Sequence, residues 1–180
     1  MRIAQIIAAA CLTLLCALAP AHAAEKRVAL VVGNGAYRHA DRLDNPVNDA
    51  RSVRDALKSP ALGFEVVYGE DLDHDGLRRV IGQFAGLAGD ADVALVFFAG
   101  HGATFGDTPY VVPVDAEFEN LDRMPYELIA VEALIGELRR AKGVRIAILD
   151  ACRDNGAERA LKRQRGEATR GLGPMKNPDG

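Results

Sequence analysis

The chain has 180 residues, 49% hydrophobic and 26% charged, with 22 basic residues against 25 acidic ones and a formal net charge of −3. That length suits one globular domain and is short for two, and 18 glycines and 8 prolines are too few for a fibrous or disordered chain. The near balance of charge leaves no electrostatic reason to expect nucleic acid as a partner.

Arg2 is followed by an uncharged stretch, 3–24, with an apolar block from Ile6 to Leu18 and the ending Pro20-Ala21-His22-Ala23. A positive end, an apolar middle and a small-x-small site predict a secretory signal peptide over residues 1–23. The alternative is an uncleaved membrane anchor, because the run is nearly long enough to span a bilayer. Leu15 ahead of Cys16 argues against a lipoprotein signal. Cleavage after Ala23 predicts a secreted or periplasmic protein without membrane attachment, and it removes Cys11, Cys16 and His22. Cys152 is then the sole cysteine, so no internal disulfide forms. In an oxidising compartment such a thiol is either buried and inert or kept for its reactivity.

Lys26 to Gly33 is a continuous apolar run ending in glycine, the pattern of a strand buried on both faces. Asn45-Pro46 predicts a helix start, with Asn45 as N-cap, and Val47, Ala50, Val53 and Leu57 carry it to Ser59-Pro60. Phe64 to Tyr68 reads as a second strand, followed by a helix with Leu77, Val80, Ile81, Phe84 and Leu87 on one face. Asp92 to Ala99 is a very hydrophobic strand that leads into a glycine-rich loop. Tyr110 to Val114 is a short strand, Val131 to Leu138 an amphipathic helix, and Val144 to Leu149 a closing strand. This alternation predicts an α/β domain with a mainly parallel sheet flanked by helices, over residues 24–155. From Gly156 to Gly180 the pattern dissolves into a basic segment without apolar periodicity, which predicts an exposed, mobile tail.

In such sheets the active site is built at the carboxyl ends of the strands, which here carry Gly33-Asn34-Gly35, Gly100-His101-Gly102 and Asp150-Ala151-Cys152. The first is no dinucleotide fingerprint, since Arg38 stands where the third glycine would fall. Serine hydrolase chemistry fails for want of a G-x-S-x-G motif. Asp71-x-Asp73-x-Asp75-Gly76 imitates a calcium loop but has Gly82 at the twelfth position, so Asp73 or Asp75 is expected to cap a helix instead. A structural zinc site lacks ligands. His101 and Cys152 remain. Each alone reads as a structural residue, but adjacent parallel strands would bring them to one cleft. There an imidazole can activate a thiol and protonate a leaving amine. The flanking Gly100 and Gly102 let backbone N–H groups approach a developing oxyanion.

The segments KRVALVVGNGAY, NPVNDARSV, VALVFFAGHG, YVVPVDA and RIAILDACRDN, spread over residues 26 to about 155, resemble the caspase-like cysteine peptidases, in particular bacterial relatives of metacaspases and paracaspases. The resemblance implies a caspase-like fold and a His101/Cys152 dyad, with the N–H groups of Gly102 and Cys152 as oxyanion hole. It implies an endopeptidase acting on polypeptides, with Asp49 and Asp150 as the pocket carboxylates that accept Arg or Lys before the scissile bond. No cofactor is expected, and no metal, because an acidic cluster matching the metacaspase calcium site is not evident in the sequence. Family members continue beyond the cysteine segment into a smaller subdomain. The C-terminal small-subunit part is thus expected to be missing here: either the chain is a fragment or truncated product, or a second chain completes the sheet. The alternative is a catalytically silent caspase-like module that acts through binding.

Overall fold

The computed structural model describes residues 25–105, 107–117 and 122–152, with Cys152 defined by its backbone; the expected signal peptide and the whole of the basic tail lie outside these residues. The apolar run after Lys26 forms β1 (Arg27–Gly33), in which every residue after the first is buried. A strand without a polar face needs cover on both sides, and β1 takes a central place in the sheet. It pairs in parallel with β2 (Glu65–Glu70) on one edge and with β3 (Val93–Phe105) on the other. The far edge of β3 pairs in parallel with β6 (Val144–Cys152). Beyond Gly100, β3 pairs antiparallel with β4 (Thr108–Val111), which pairs antiparallel with β5 (Ile129–Ala130). The expected mainly parallel α/β sheet is what the chain forms, with four parallel strands in the order β2-β1-β3-β6.

Four helices are described: α1 (Pro46–Lys58), α2 (His74–Ala88), α3 (Met124–Glu127) and α4 (Val131–Leu138). The two-residue period of the strands divides their side chains between two cores. Ala29, Val31, Leu95, Phe97 and Ala99 face α1 through Ala50 and Leu57. Val28, Leu30, Val32, Val96 and Phe98 face the other way, onto Leu77, Val80 and Phe84 of α2 and Leu134 and Leu138 of α4. A third, smaller cluster gathers Tyr37, Ala103, Val112, Val114 and Met124 beside the carboxyl end of the sheet.

Two local expectations change and one is met. Asn45 does not cap α1 with its side chain: its backbone is already helical (φ −92°, ψ −34°), and Pro46 alone marks the start. The helix boundary is right but its chemistry is not. Asp73 is the cap of α2, its carboxylate accepting the Gly76 N–H at 2.8 Å, so the aspartate run is a helix start. The second change concerns β3, which does not end at Ala99. It passes through Gly100, His101 and Gly102 to Phe105, exchanging parallel partners for the antiparallel β4. Gly100 allows this at φ +157°, where a Cβ would lie 2.6 Å from the Tyr37 hydroxyl. His101 therefore stands inside a strand and not in a loop, and Cys152 is the last residue of β6.

The other end of β6 is tightly fixed. Val144 N–H donates to Asp92 C=O at 2.8 Å and Lys142 N–H to Ala91 C=O at 2.9 Å. Gly143 passes so close to Asp92 that a Cβ there would lie 2.3 Å from its carbonyl oxygen.

Candidate active site

The register between β3 and β6 places His101 directly opposite Cys152. Neighbouring strands lie about 4.8 Å apart, so the two backbones meet at one rung of the sheet. The sequence anticipated two loop tips converging in a cleft; the structure achieves the convergence by strand pairing. Gly102 follows in β3, opposite Val111 of β4.

His101 is fully buried. Its backbone N–H donates to the Tyr37 hydroxyl at 2.7 Å, and that hydroxyl donates in turn to the Val112 carbonyl at 3.3 Å. The Tyr37 ring lies against the imidazole, with centroids 4.3 Å apart and planes tilted by 41°. Nε2 lies 2.8 Å from the Asp41 carbonyl oxygen. A carbonyl only accepts, so this hydrogen bond requires the proton on Nε2 and leaves Nδ1 as the basic nitrogen of the neutral ring. Neither Tyr37 nor Asp41 was assigned a role from sequence. Tyr37 lies within a quoted motif, whereas Asp41 acts through its backbone, which any residue supplies.

Two rungs nearer the strand starts, the register aligns Glu70, Gly33, Ala99 and Asp150 across all four parallel strands. All four belong to the face covered by α1, by strand alternation. The two middle residues are small. Gly33 has the N-terminus of α1 lying on it: a Cβ would be 2.4 Å from the Pro46 carbonyl oxygen and 2.7 Å from the Ala50 Cβ. Asp49 is exposed in the first turn of that helix, and Asp150 is exposed on β6. The fold thus brings Asp150 and the Asp49-bearing turn to the same end of the same face, where α1 covers the small residues Gly33 and Ala99.

The Glu70 end of the rung is occupied by its own ion pair. Arg51 of α1 donates to both carboxylate oxygens (2.7 and 2.5 Å), and the Tyr68 hydroxyl donates to Oε1 at 2.5 Å. Arg51 first, then Tyr68, holds the Glu70 carboxyl down at about 2 from an ordinary 4.5. Burial, aided by Glu70, pushes the Tyr68 phenol up to about 12. Arg54 lies over the Tyr68 ring, 4.5 Å from its centroid. Because the folded-state value of Glu70 is depressed, its contribution to stability is complete above about pH 4.5 and disappears as pH falls through about 2. Glu70→Gln should therefore lower stability at neutral pH by about 1 kcal/mol at most, given the solvent screening of this half-exposed pair, and leave stability at pH 2 unchanged. Urea denaturation across that range checks it; an equal deficit at both ends would contradict the ion-pair account.

Among the described residues no group of three or more His, Cys, Asp or Glu side chains is placed to hold a metal ion. Nor is any described helix long and apolar enough to cross a membrane.

Comparison with known proteins bears on family and fold. The human protein named mucosa-associated lymphoid tissue lymphoma translocation protein 1 is 32% identical over 131 residues, 72% of this chain. Its mouse homolog is 30% identical over 131 residues, and the chain spans 15% of the length of each. The crystal structure of protein GSU0716 from Geobacter sulfurreducens shares the fold, with a TM-score of 0.53 at 21% identity, covering 71% of this chain and 50% of that one. A family model for the caspase domain matches residues 26–178, a span that takes in the whole described sheet and both His101 and Cys152. The chain belongs to the caspase-domain family of cysteine peptidases.

Proposed function

We propose that this domain is a cysteine endopeptidase that cleaves polypeptides after Arg or Lys, with Cys152 as nucleophile and His101 as its acid–base partner, in a secreted or periplasmic setting. The observation that carries the reading is the register pair of a buried, tautomer-fixed His101 with Cys152.

In the proposed reaction Nδ1 of His101 takes the thiol proton, and the thiolate of Cys152 attacks the scissile carbonyl carbon. The carbonyl π electrons move to oxygen, and the N–H groups of Gly102 and Cys152 stabilise that charge. As the C–N bond breaks, the imidazolium returns its proton to the departing amine and leaves a thioester on Cys152. His101 then deprotonates a water molecule that attacks the thioester. Collapse of this second intermediate releases the carboxylic acid, and the thiolate recovers its proton.

The basic preference is supported by the carboxylates of Asp150 and Asp49, carried at the same end of the same face of the sheet, which attract a cation and repel an anion. The edge of β6 supports a partner as well. Among the described residues β6 pairs only with β3, and Val144 and Ile148 are 57% and 44% exposed. An apolar open edge of this kind suits a strand from a second chain that completes the sheet.

Purified protein assayed with Arg-, Lys- and Asp-ending fluorogenic peptides should cleave the first two, and Cys152→Ala should remove that activity. Preference for the Asp substrate would overturn the pocket assignment. Absence of any Cys152-dependent turnover would overturn the peptidase reading and favour a binding module.

A further inference from the structure

His101 is enclosed by the segment that joins β1 to α1, and that segment is held from outside. Asp71, just past β2, accepts the N–H groups of both Gly35 and Ala36 on one carboxylate oxygen, each at 2.8 Å. Its own N–H donates to the Gly33 carbonyl at 2.9 Å. Asp71 does this at φ +47°, the only non-glycine residue with positive φ among the described residues. Aspartate is one of the few side chains that tolerate such a backbone, and no helix cap explains its presence, because Asp73 performs that task.

The residue after Ala36 is Tyr37, whose hydroxyl receives the His101 N–H and whose ring packs on the imidazole. Four residues further on is the Asp41 carbonyl that fixes the Nε2 proton. Displacing the segment at Gly35 and Ala36 would therefore shift the groups that hold His101 at its backbone, its ring face and its Nε2 together. We propose that Asp71 and Tyr37 are positioning residues for His101, Asp71 anchoring the segment and Tyr37 transmitting its placement to the imidazole. The proposal rests on the reading of His101 as acid–base group and adds two residues that act through the placement of its ring. Removal of outer-shell partners of this type commonly costs 10–100-fold, here expected in kcat, since substrate contacts are untouched.

The test compares kcat and KM for the Arg-ending peptide in wild type, Asp71→Asn, Asp71→Gly, Tyr37→Phe and the Asp71→Gly/Tyr37→Phe double variant. Glycine removes the acceptor while accommodating the positive φ, and asparagine keeps an oxygen that can accept both N–H groups. Asp71→Gly and Tyr37→Phe should each lower kcat by about 10–100-fold with KM within about twofold. The double variant should be about as impaired as the worse single one, because both act through one segment. Asp71→Asn should recover most of the loss. In parallel, ring-nitrogen NMR in a Cys152→Ala background reads the His101 tautomer without any need for turnover. A pure Nε2–H form should give way to a mixture in Asp71→Gly.

Wild-type kcat in both single variants would overturn the proposal, as would fully additive losses with an unchanged tautomer. If wild type itself shows no Cys152-dependent turnover, the peptidase reading fails separately. The tautomer comparison then decides positioning: a changed mixture supports it and an unchanged one overturns it. Should Asp71→Gly not fold, Tyr37→Phe, which deletes a single oxygen, carries both measurements.

Discussion

His101→Ala is expected to reduce turnover of an Arg-ending peptide by about 10³-fold or more, because without the imidazole nothing deprotonates the thiol or protonates the leaving amine. The same change is costly to the fold. His101 is fully buried, and its loss opens a gap beside the Tyr37 ring and leaves the Asp41 carbonyl without the Nε2 proton. Cavity and lost hydrogen bond together are worth about 2–5 kcal/mol, so inactivity of the alanine variant alone would be ambiguous. His101→Gln resolves it by retaining most of the volume and an N–H that can reach Asp41. Assayed beside a thermal melt, it should be folded and still inactive. A folded glutamine variant with substantial kcat would remove His101 from the chemistry.

Asn34→Leu is expected to cost much of the stability of the fold without touching the dyad. Asn34 is wholly buried where β1 ends. Its amide donates to the carbonyls of Leu72 and Val112, both at 3.2 Å, and its side-chain oxygen accepts the Leu72 N–H at 2.9 Å. One side chain thereby joins three segments that share no secondary structure: the end of β1, the turn after β2 and the exit from β4. Leucine fills the volume but leaves the Leu72 N–H without its acceptor, at about 1–3 kcal/mol, and removes one of two donors from each of the Leu72 and Val112 carbonyls, which keep the Val114 N–H and the Tyr37 hydroxyl. A total loss of about 2–4 kcal/mol is a large fraction of the stability of an ordinary domain. Urea denaturation should show the midpoint fall accordingly. A loss below about 1 kcal/mol would mean that water or backbone movement replaces the network. The Gly33-Asn34-Gly35 sequence, which fails as a nucleotide-binding loop, is this joint.

What could be read in the sequence follows physical range. Strands such as β1 and helices such as α2 declare themselves by local periodicity, and both lie within a residue or two of their expected bounds. The pairing of His101 with Cys152 was legible only as proximity, since each ends a buried run; the register belongs to β3 and β6 together. The extension of β3 was hidden because Gly100 and Gly102 look like loop residues, and only Tyr37 and β4 give them a strand's surroundings. α3 and β5 are too short to carry any period. Asp41 contributes a carbonyl, which leaves no mark in the side-chain sequence. Asp71 was visible only as the opening of an imitation calcium loop, and its part in holding the β1–α1 segment needs contacts 35 and 36 residues away.

The contact of Gly143 with Asp92 bears on a different question: how mutations will be tolerated across this molecule. Side chains on a strand alternate between faces, so a slip of β6 by one residue would exchange its entire inner and outer complement. The pins against such a slip stand at the foot of the sheet, about 26 Å of strand from the dyad. A map of sensitivity drawn as distance from Cys152 would rank Gly143 among the safest positions. In a parallel sheet of this kind, vulnerability instead follows the alignment of the strands, and the quiet end of a strand governs the reactive one.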